Sequence, residues 1–251
     1  MKTRLIITDL TRMYHQNVCI AGYTKSHQCI RPVSTSGGIP ESALFRDHKA
    51  ILYPFAEIEL DLLKPKSHPP HTEDWSFNPW SLRFIGEIGP REQVLEQSLY
   101  DSVQSIFGQE ILTDPGYYVL DCQGPRSLGT LIPTKILALQ YEPGVEGNWD
   151  YRLAFTDQTG TTYRLKIVDL TWQYYCASLR NEETTPKEIA SQTSKNLENR
   201  KVCLRIGLAR GWKKYPERCY LQITGIYTFP DYLGGKNFSH FSRKEASEFH
   251  G

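Results

Sequence analysis

Four stretches of this chain gather side chains able to bind or react. The first runs Cys19-Ile20-Ala21-Gly22-Tyr23 and resumes at Cys29-Ile30-Arg31-Pro32-Val33. Small residues such as Ala21 and Gly22 inside an apolar run point to a bulge or a close backbone approach. Arg31, fixed ahead of Pro32, projects from a strand end. Its guanidinium there either clamps a phosphate or carboxylate through two hydrogen bonds or pairs with an acidic strand face at 56–63. The second stretch, Pro69-Pro70-His71-Thr72-Glu73-Asp74-Trp75, sets a histidine beside two carboxylates. That set would serve acid/base work if the loop folded back on itself, or a capping turn with Trp75 packed beneath it.

The third stretch is Arg205-Ile206-Gly207-Leu208-Ala209-Arg210-Gly211-Trp212-Lys213-Lys214-Tyr215. Cations, glycines and aromatics interleave here as they do where bases stack on rings and phosphates meet Lys and Arg. A solvated basic hairpin tip would read the same way. The fourth, Gly225-Ile226-Tyr227-Thr228-Phe229-Pro230-Asp231-Tyr232, either lines a ligand groove with Tyr227 and Phe229 or closes a barrel with them. The sequence contains no G-x-S-x-G elbow, Walker A loop, G-x-G-x-x-G turn or H-E-x-x-H helix. It contains no Cys-x-x-Cys pair either. No catalytic residue, metal ligand or cofactor is therefore assigned from motifs.

The elements that must position these stretches are mostly strands. Arg4–Thr8 reads as a strand followed by a polar turn over Asp9-Leu10-Thr11-Arg12, and 17–23 with 28–33 as a hairpin. Ile58, Leu60 and Leu62 alternate with Glu57, Glu59 and Asp61, one face buried and one acidic. A proline-rich loop covers 64–79, and 82–88 is a further strand. One long helix is expected from Pro90 to a stop at Gly108, carrying Val94, Leu95, Leu99, Val103, Ile106 and Phe107 at helical spacing. Strands follow at 117–121 and 131–141, then a seam at 142–148, and a hairpin over 149–156 and 161–168. Helices are expected at 169–180 and 185–198, the second with Thr185 as cap and Pro186 just inside it. Strands at 202–208 and 218–228 close the fold, and the tail from Gly234 offers little to bury. The pattern predicts a mainly β chain with a few helices, built as two barrel-like units over 1–143 and 144–233 with a flexible 234–251.

Composition narrows the class. The chain has 251 residues, 39% of them hydrophobic and 23% charged, a globular balance that needs no disulfide or metal to fold. Its apolar runs fall short of the roughly 20 residues that span a bilayer, and its opening lacks a secretory apolar run of roughly 7–15 residues. Six dispersed cysteines suit reduced thiols in a cytoplasmic protein with no membrane partner. The net charge of +1 hides an asymmetry. Residues 195–220 carry eight basic side chains against Glu198 and Glu217, a local +6, which leaves about −5 on the rest.

The strand Val18-Cys19-Ile20-Ala21-Gly22-Tyr23, the strand Cys29-Ile30-Arg31-Pro32-Val33, the Pro70–Trp75 loop, Leu204–Leu208 and Gly225–Tyr232 together resemble the dual OB domain family of bacterial proteins, over roughly residues 3–233. The resemblance implies two OB-like barrels, with recognition of nucleic acid or nucleotides, and a setting in bacterial defence. Family members often carry Ser-Arg-Lys at the first turn, where this chain has Asp9-Leu10-Thr11-Arg12-Met13. Only Arg12 can stand in for that basic group.

The expected function is therefore binding of single-stranded or modified nucleic acid, or of a nucleotide. Arg31, Arg205, Arg210, Trp212, Lys213, Lys214 and Tyr215 are the expected contacts. His71, Glu73, Asp74, Trp75, Tyr227 and Phe229 form a candidate pocket. Two alternatives stand beside it. One is an enzyme acting on nucleotides or nucleic-acid ends through His71, Glu73 and Asp74, with Arg31 as anion clamp. The other is a protein-interaction subunit whose basic loop meets an acidic partner.

Overall fold

The computed structural model describes residues 1–13, 16–34, 38–144 and 149–241. The first unit is a five-stranded barrel of β1 (Lys2–Arg12), β2 (Asn17–Tyr23), β3 (Cys29–Val33), β4 (Ala56–Pro65) and β5 (Asp74–Glu87). β1 pairs antiparallel with β2 through its second half and with β4 through its first. β4 pairs antiparallel with β5, β5 runs parallel to β3, and β3 returns antiparallel to β2. The ring order β1-β2-β3-β5-β4 closes on itself, the topology of an OB barrel. The alternation over 56–63 is realised: Ile58, Leu60 and Leu62 face the core, and Glu57, Glu59 and Asp61 face outward.

The second unit repeats the plan with a first strand broken in two. After β6 (Tyr117–Leu120) come β7 (Leu128–Leu131) and β8 (Lys135–Pro143), then β9 (Trp149–Thr156) and β10 (Thr162–Ile167). Helices α3 (Leu170–Ser178) and α4 (Pro186–Lys195) lead to β11 (Lys201–Leu208) and β12 (Arg218–Phe229). β8 pairs with β9, β9 with β10, β10 runs parallel to β12, β12 pairs with β11, and β11 with β7. Because β7 and β8 are consecutive pieces of one strand, this path also closes. β6 adds to the free flank at the start of β12. The expected seam at 142–148 lies at the β8–β9 hairpin within the second sheet, and 145–148 are outside the described residues.

Three elements differ from the sequence reading. The long helix of 90–108 is two short ones, α1 (Arg91–Glu96) and α2 (Val103–Phe107). Between them Leu99–Tyr100 pairs with Thr130 and Leu131 of β7, and Ser102 starts the second helix through a reciprocal cap with Ser105. Gly108 does end α2, in a left-handed conformation. The loop read over 64–79 shortens to the link between Pro65 and Asp74, because β5 begins eight residues ahead of the expected Leu82. The polar turn at 9–12 is not a turn: β1 runs through it to Arg12. Near the end, Phe238 is fully buried against Phe45 and Tyr174, so the chain stays attached to the first barrel beyond Gly234. The flexibility expected for 242–251 concerns residues outside those described.

The helix caps are the most literal translation of sequence into structure. Thr185 and Glu188 form a capping box with Pro186 in the first turn of α4. Asp169 caps α3 by accepting from the N–H groups of Thr171 and Trp172, and its second oxygen accepts from Ile226 of β12 at 3.0 Å. Burial pushes its carboxyl up to about 7, against the pull of those three bonds. No described helix is long and apolar enough to cross a membrane.

Candidate nucleic-acid interface

The basic stretch falls on the link between β11 and β12, the loop between strands four and five of the second barrel. Its root closes where Ala209 N–H donates to the Tyr220 carbonyl, and its tip where Tyr215 N–H donates to the Trp212 carbonyl at 2.8 Å. Lys213 and Lys214 form the solvent-facing apex. A Cβ on Gly211 would lie 1.9 Å from the Pro216 carbonyl oxygen, so this tight return requires glycine. Trp212 is 54% exposed and meets the Tyr215 ring edge-on at 5.7 Å. Arg218 sits against the rings of Tyr215 and Tyr118, at 4.2 and 4.7 Å, and Lys214 Nζ lies 5.1 Å from the Tyr215 centroid. The tip is thus a braced platform of aromatics and cations.

Strand register extends the platform. Gln140, Arg152, Lys166 and Gln222 are successive partners across β8, β9, β10 and β12. Side chains alternate along a strand, so Gln222, Tyr220 and Arg218 share the outer face of β12 and lead back to the hairpin. Arg164 stands on the same outer face of β10. Asp150 moderates the charge by accepting from Arg152 Nε at 2.6 Å and lying 3.6 Å from Lys166 Nζ. Arg152, Arg164, Lys166 and Arg218 are not among the contacts expected from sequence. The signal available was Arg164 and Lys166 at alternate positions of β10, with Arg152 and Arg218 at outward positions of the strands beside it.

The other expected contacts lie elsewhere. Arg205 is fully buried between the barrels, donating to Asp9 through Nε and Nη2 and to Tyr23, Ser98 and Thr130 through Nη1. With Asp9 and three hydroxyls occupying it, this guanidinium offers nothing to a ligand. Arg31 is buried as well. It pairs with Asp74, at 2.6 Å from Nε, and not with the acidic face of β4. Arg210 reaches from the hairpin root to the other oxygen of Asp74, which leaves it half exposed. Arg210 therefore anchors the hairpin to the first barrel as well as adding charge to it.

The candidate pocket residues are parts of the same seam. His71 is buried, its Nδ1 accepts from Arg31 Nη2 at 2.8 Å, and its Nε2 faces Cys219 Sγ at 3.8 Å. Glu73 accepts from the backbone and hydroxyl of Ser127 at 2.7 and 3.0 Å. Trp75 packs on the first core, while Tyr227 and Phe229 pack on Phe55, Leu95 and Cys203. Tyr227 also donates to the Thr8 carbonyl at 2.7 Å. The cleft beside it holds about 30 Å³, room for water and not for a nucleotide.

Burial, then Arg31 and Arg210, push the His71 imidazole down to about 2. The folded protein keeps it neutral, whereas the unfolded chain takes a proton near pH 6.5. Its contribution to stability is therefore complete above pH 6.5 and is lost as pH falls below that value, at about 1.4 kcal/mol per pH unit. Urea unfolding of His71→Gln and the parent chain at pH 7.5, 6 and 5 should show the stability gap narrowing toward acid. A gap independent of pH would rule this out.

Two five-stranded OB barrels joined through a buried polar seam define a dual OB protein. The chain belongs to the family of the dual OB-containing domain, whose sequence profile matches residues 4–226. No curated protein matches it. Among solved structures it is similar to a chain from one described as "Structure and Conformational Change of a Replication Protein A Heterotrimer Bound to ssDNA". The identity is 11% and the TM-score 0.37, covering 100% of this chain and 53% of that one. The present chain thus spans about half the length of that solved chain.

Proposed function

We propose that the protein binds single-stranded nucleic acid, unmodified or modified, across the outer face of the second barrel and its strand-four-to-five hairpin. What carries this reading is the continuity of the Lys213/Lys214 apex and the exposed Trp212, along Arg218, Tyr220 and Gln222 of β12, with the row Lys166 and Arg152. OB barrels receive oligonucleotides on their strand two and three face and on this loop, which is the surface these residues occupy. Lys and Arg neutralise phosphates there, and Trp212 supplies a ring on which a base stacks.

Fluorescence anisotropy with labelled single-stranded DNA and RNA tests the proposal. Lys213→Ala/Lys214→Ala should weaken binding similarly across sequences and flatten the log–log salt slope by roughly 0.7 for each lost contact. Trp212→Ala should cost on the order of 1–3 kcal/mol and barely change that slope. Both variants alter exposed side chains, so their melting curves should match the parent. Unchanged affinity in the double lysine variant would sink the proposal and favour an acidic protein partner for the hairpin.

A further inference from the structure

Among the described residues, one cluster of ligating side chains lies outside the hairpin. His68 lies on the β4–β5 link of the first barrel, while Asp121 and Cys122 follow β6 of the second. Cys122 Sγ stands 3.4 Å from His68 Nε2 and 3.7 Å from Asp121 Oδ2, and His68 Nε2 stands 3.6 Å from Asp121 Oδ2. Zinc bonds of about 2.0–2.3 Å at tetrahedral angles set nitrogen, oxygen and sulfur ligands about 3.3–3.6 Å apart. The observed triangle is one face of such a tetrahedron.

Two of the three donors are also held from behind. Cys122 N–H donates to the Pro69 carbonyl at 3.0 Å, and Asp121 N–H to the Glu217 carbonyl at 2.9 Å. Cys122 keeps a left-handed backbone at φ 62°, unusual for a residue with a side chain. The Cys219 thiol points at the second oxygen of Asp121, at 3.7 Å, as an outer partner that orients a ligand. His68 is 56% exposed and Asp121 31%, so the remaining position faces solvent.

We infer that His68, Asp121 and Cys122 form a binding site for a divalent transition metal, with zinc the best match to a thiolate, imidazole and carboxylate set. Binding converts the Cys122 thiol to thiolate, and its proton leaves to solvent. Carboxylate and thiolate together then balance the charge of the ion. An ion here would join the first barrel to the root of the hairpin through Asp121 and Glu217. The proposal does not depend on what the hairpin binds.

The test is titration of the reduced, chelator-treated full chain with cobalt(II) chloride, followed by zinc chloride. One equivalent of cobalt should give a thiolate-to-cobalt charge-transfer band, which zinc then removes. Cys122→Ser should abolish the band. His68→Ala and Asp121→Asn should weaken binding by more than the roughly 10–100-fold that loss of an outer partner costs. Cys29→Ser should leave the band intact. Zinc should raise the melting temperature of the parent and not of Cys122→Ser, because an ion bound only to the folded state stabilises it. No band with the parent chain, or a band that survives Cys122→Ser, overturns the proposal.

Discussion

Arg205→Met should destabilise the protein by about 3–5 kcal/mol, because it leaves Asp9 charged and buried without its cation. The pair joins strands from opposite ends of the chain: Asp9 lies on β1 and Arg205 on β11. Arg205 Nη2 donates to Asp9 Oδ2 at 2.9 Å, and Asp9 also accepts from Thr8 and Thr224 at 2.8 and 2.5 Å. Tyr23, Ser98 and Thr130 accept from Nη1 of the same guanidinium. Such a satisfied network adds little over an apolar core of the same volume, yet breaking one half of it is costly. The double variant Asp9→Leu/Arg205→Met should therefore recover much of the stability that Arg205→Met loses. Chemical denaturation of the single and double variants measures both. If Arg205→Met costs less than about 1 kcal/mol, the pair is no more than an exposed salt bridge in effect.

Gly22→Ala should cost on the order of 4 kcal/mol and is the second severe substitution. A Cβ there would stand 1.9 Å from the Ile6 carbonyl oxygen and 2.9 Å from the Ile7 Cα. Both neighbours are backbone of β1, so no rotamer change can relieve the contact. The pressure falls where β1 switches partners, next to a register shift between Ile7 and Asp9. Displacing β1 would also move Asp9 away from Arg205, so barrel closure and the seam should fail together. Melting of Gly22→Ala beside Gly86→Ala separates this from a general glycine effect, since nothing lies within 4 Å of a Cβ at Gly86 and its backbone is not left-handed. Equal losses in the two variants would contradict the account.

Local patterns were sufficient wherever a residue's environment is set by its near neighbours. The Thr185-Pro186-x-Glu188 start of α4, the β9–β10 hairpin, the two-faced β4 and the close approach at Gly22 all follow from spacing and side-chain type. The basic-aromatic hairpin was legible for the same reason, since one short loop supplies all its members. Distant partners decided the rest. Asp9 to Arg12 reads as a turn because a carboxylate in a strand interior is costly, and only an arginine 196 positions away makes it a buried strand residue. Arg31 and His71 read as candidates for chemistry because their partners were unknown, and the fold gives them Asp74 and each other. The metal-ligating triangle had no motif, because His68 and Cys122 are 54 residues apart and meet only when the two barrels dock. Sequence alone determined two β-rich units and a basic loop. Tertiary structure decided which charges are spent within the seam and which remain free to meet a partner, because burial and pairing depend on residues brought together from far along the chain.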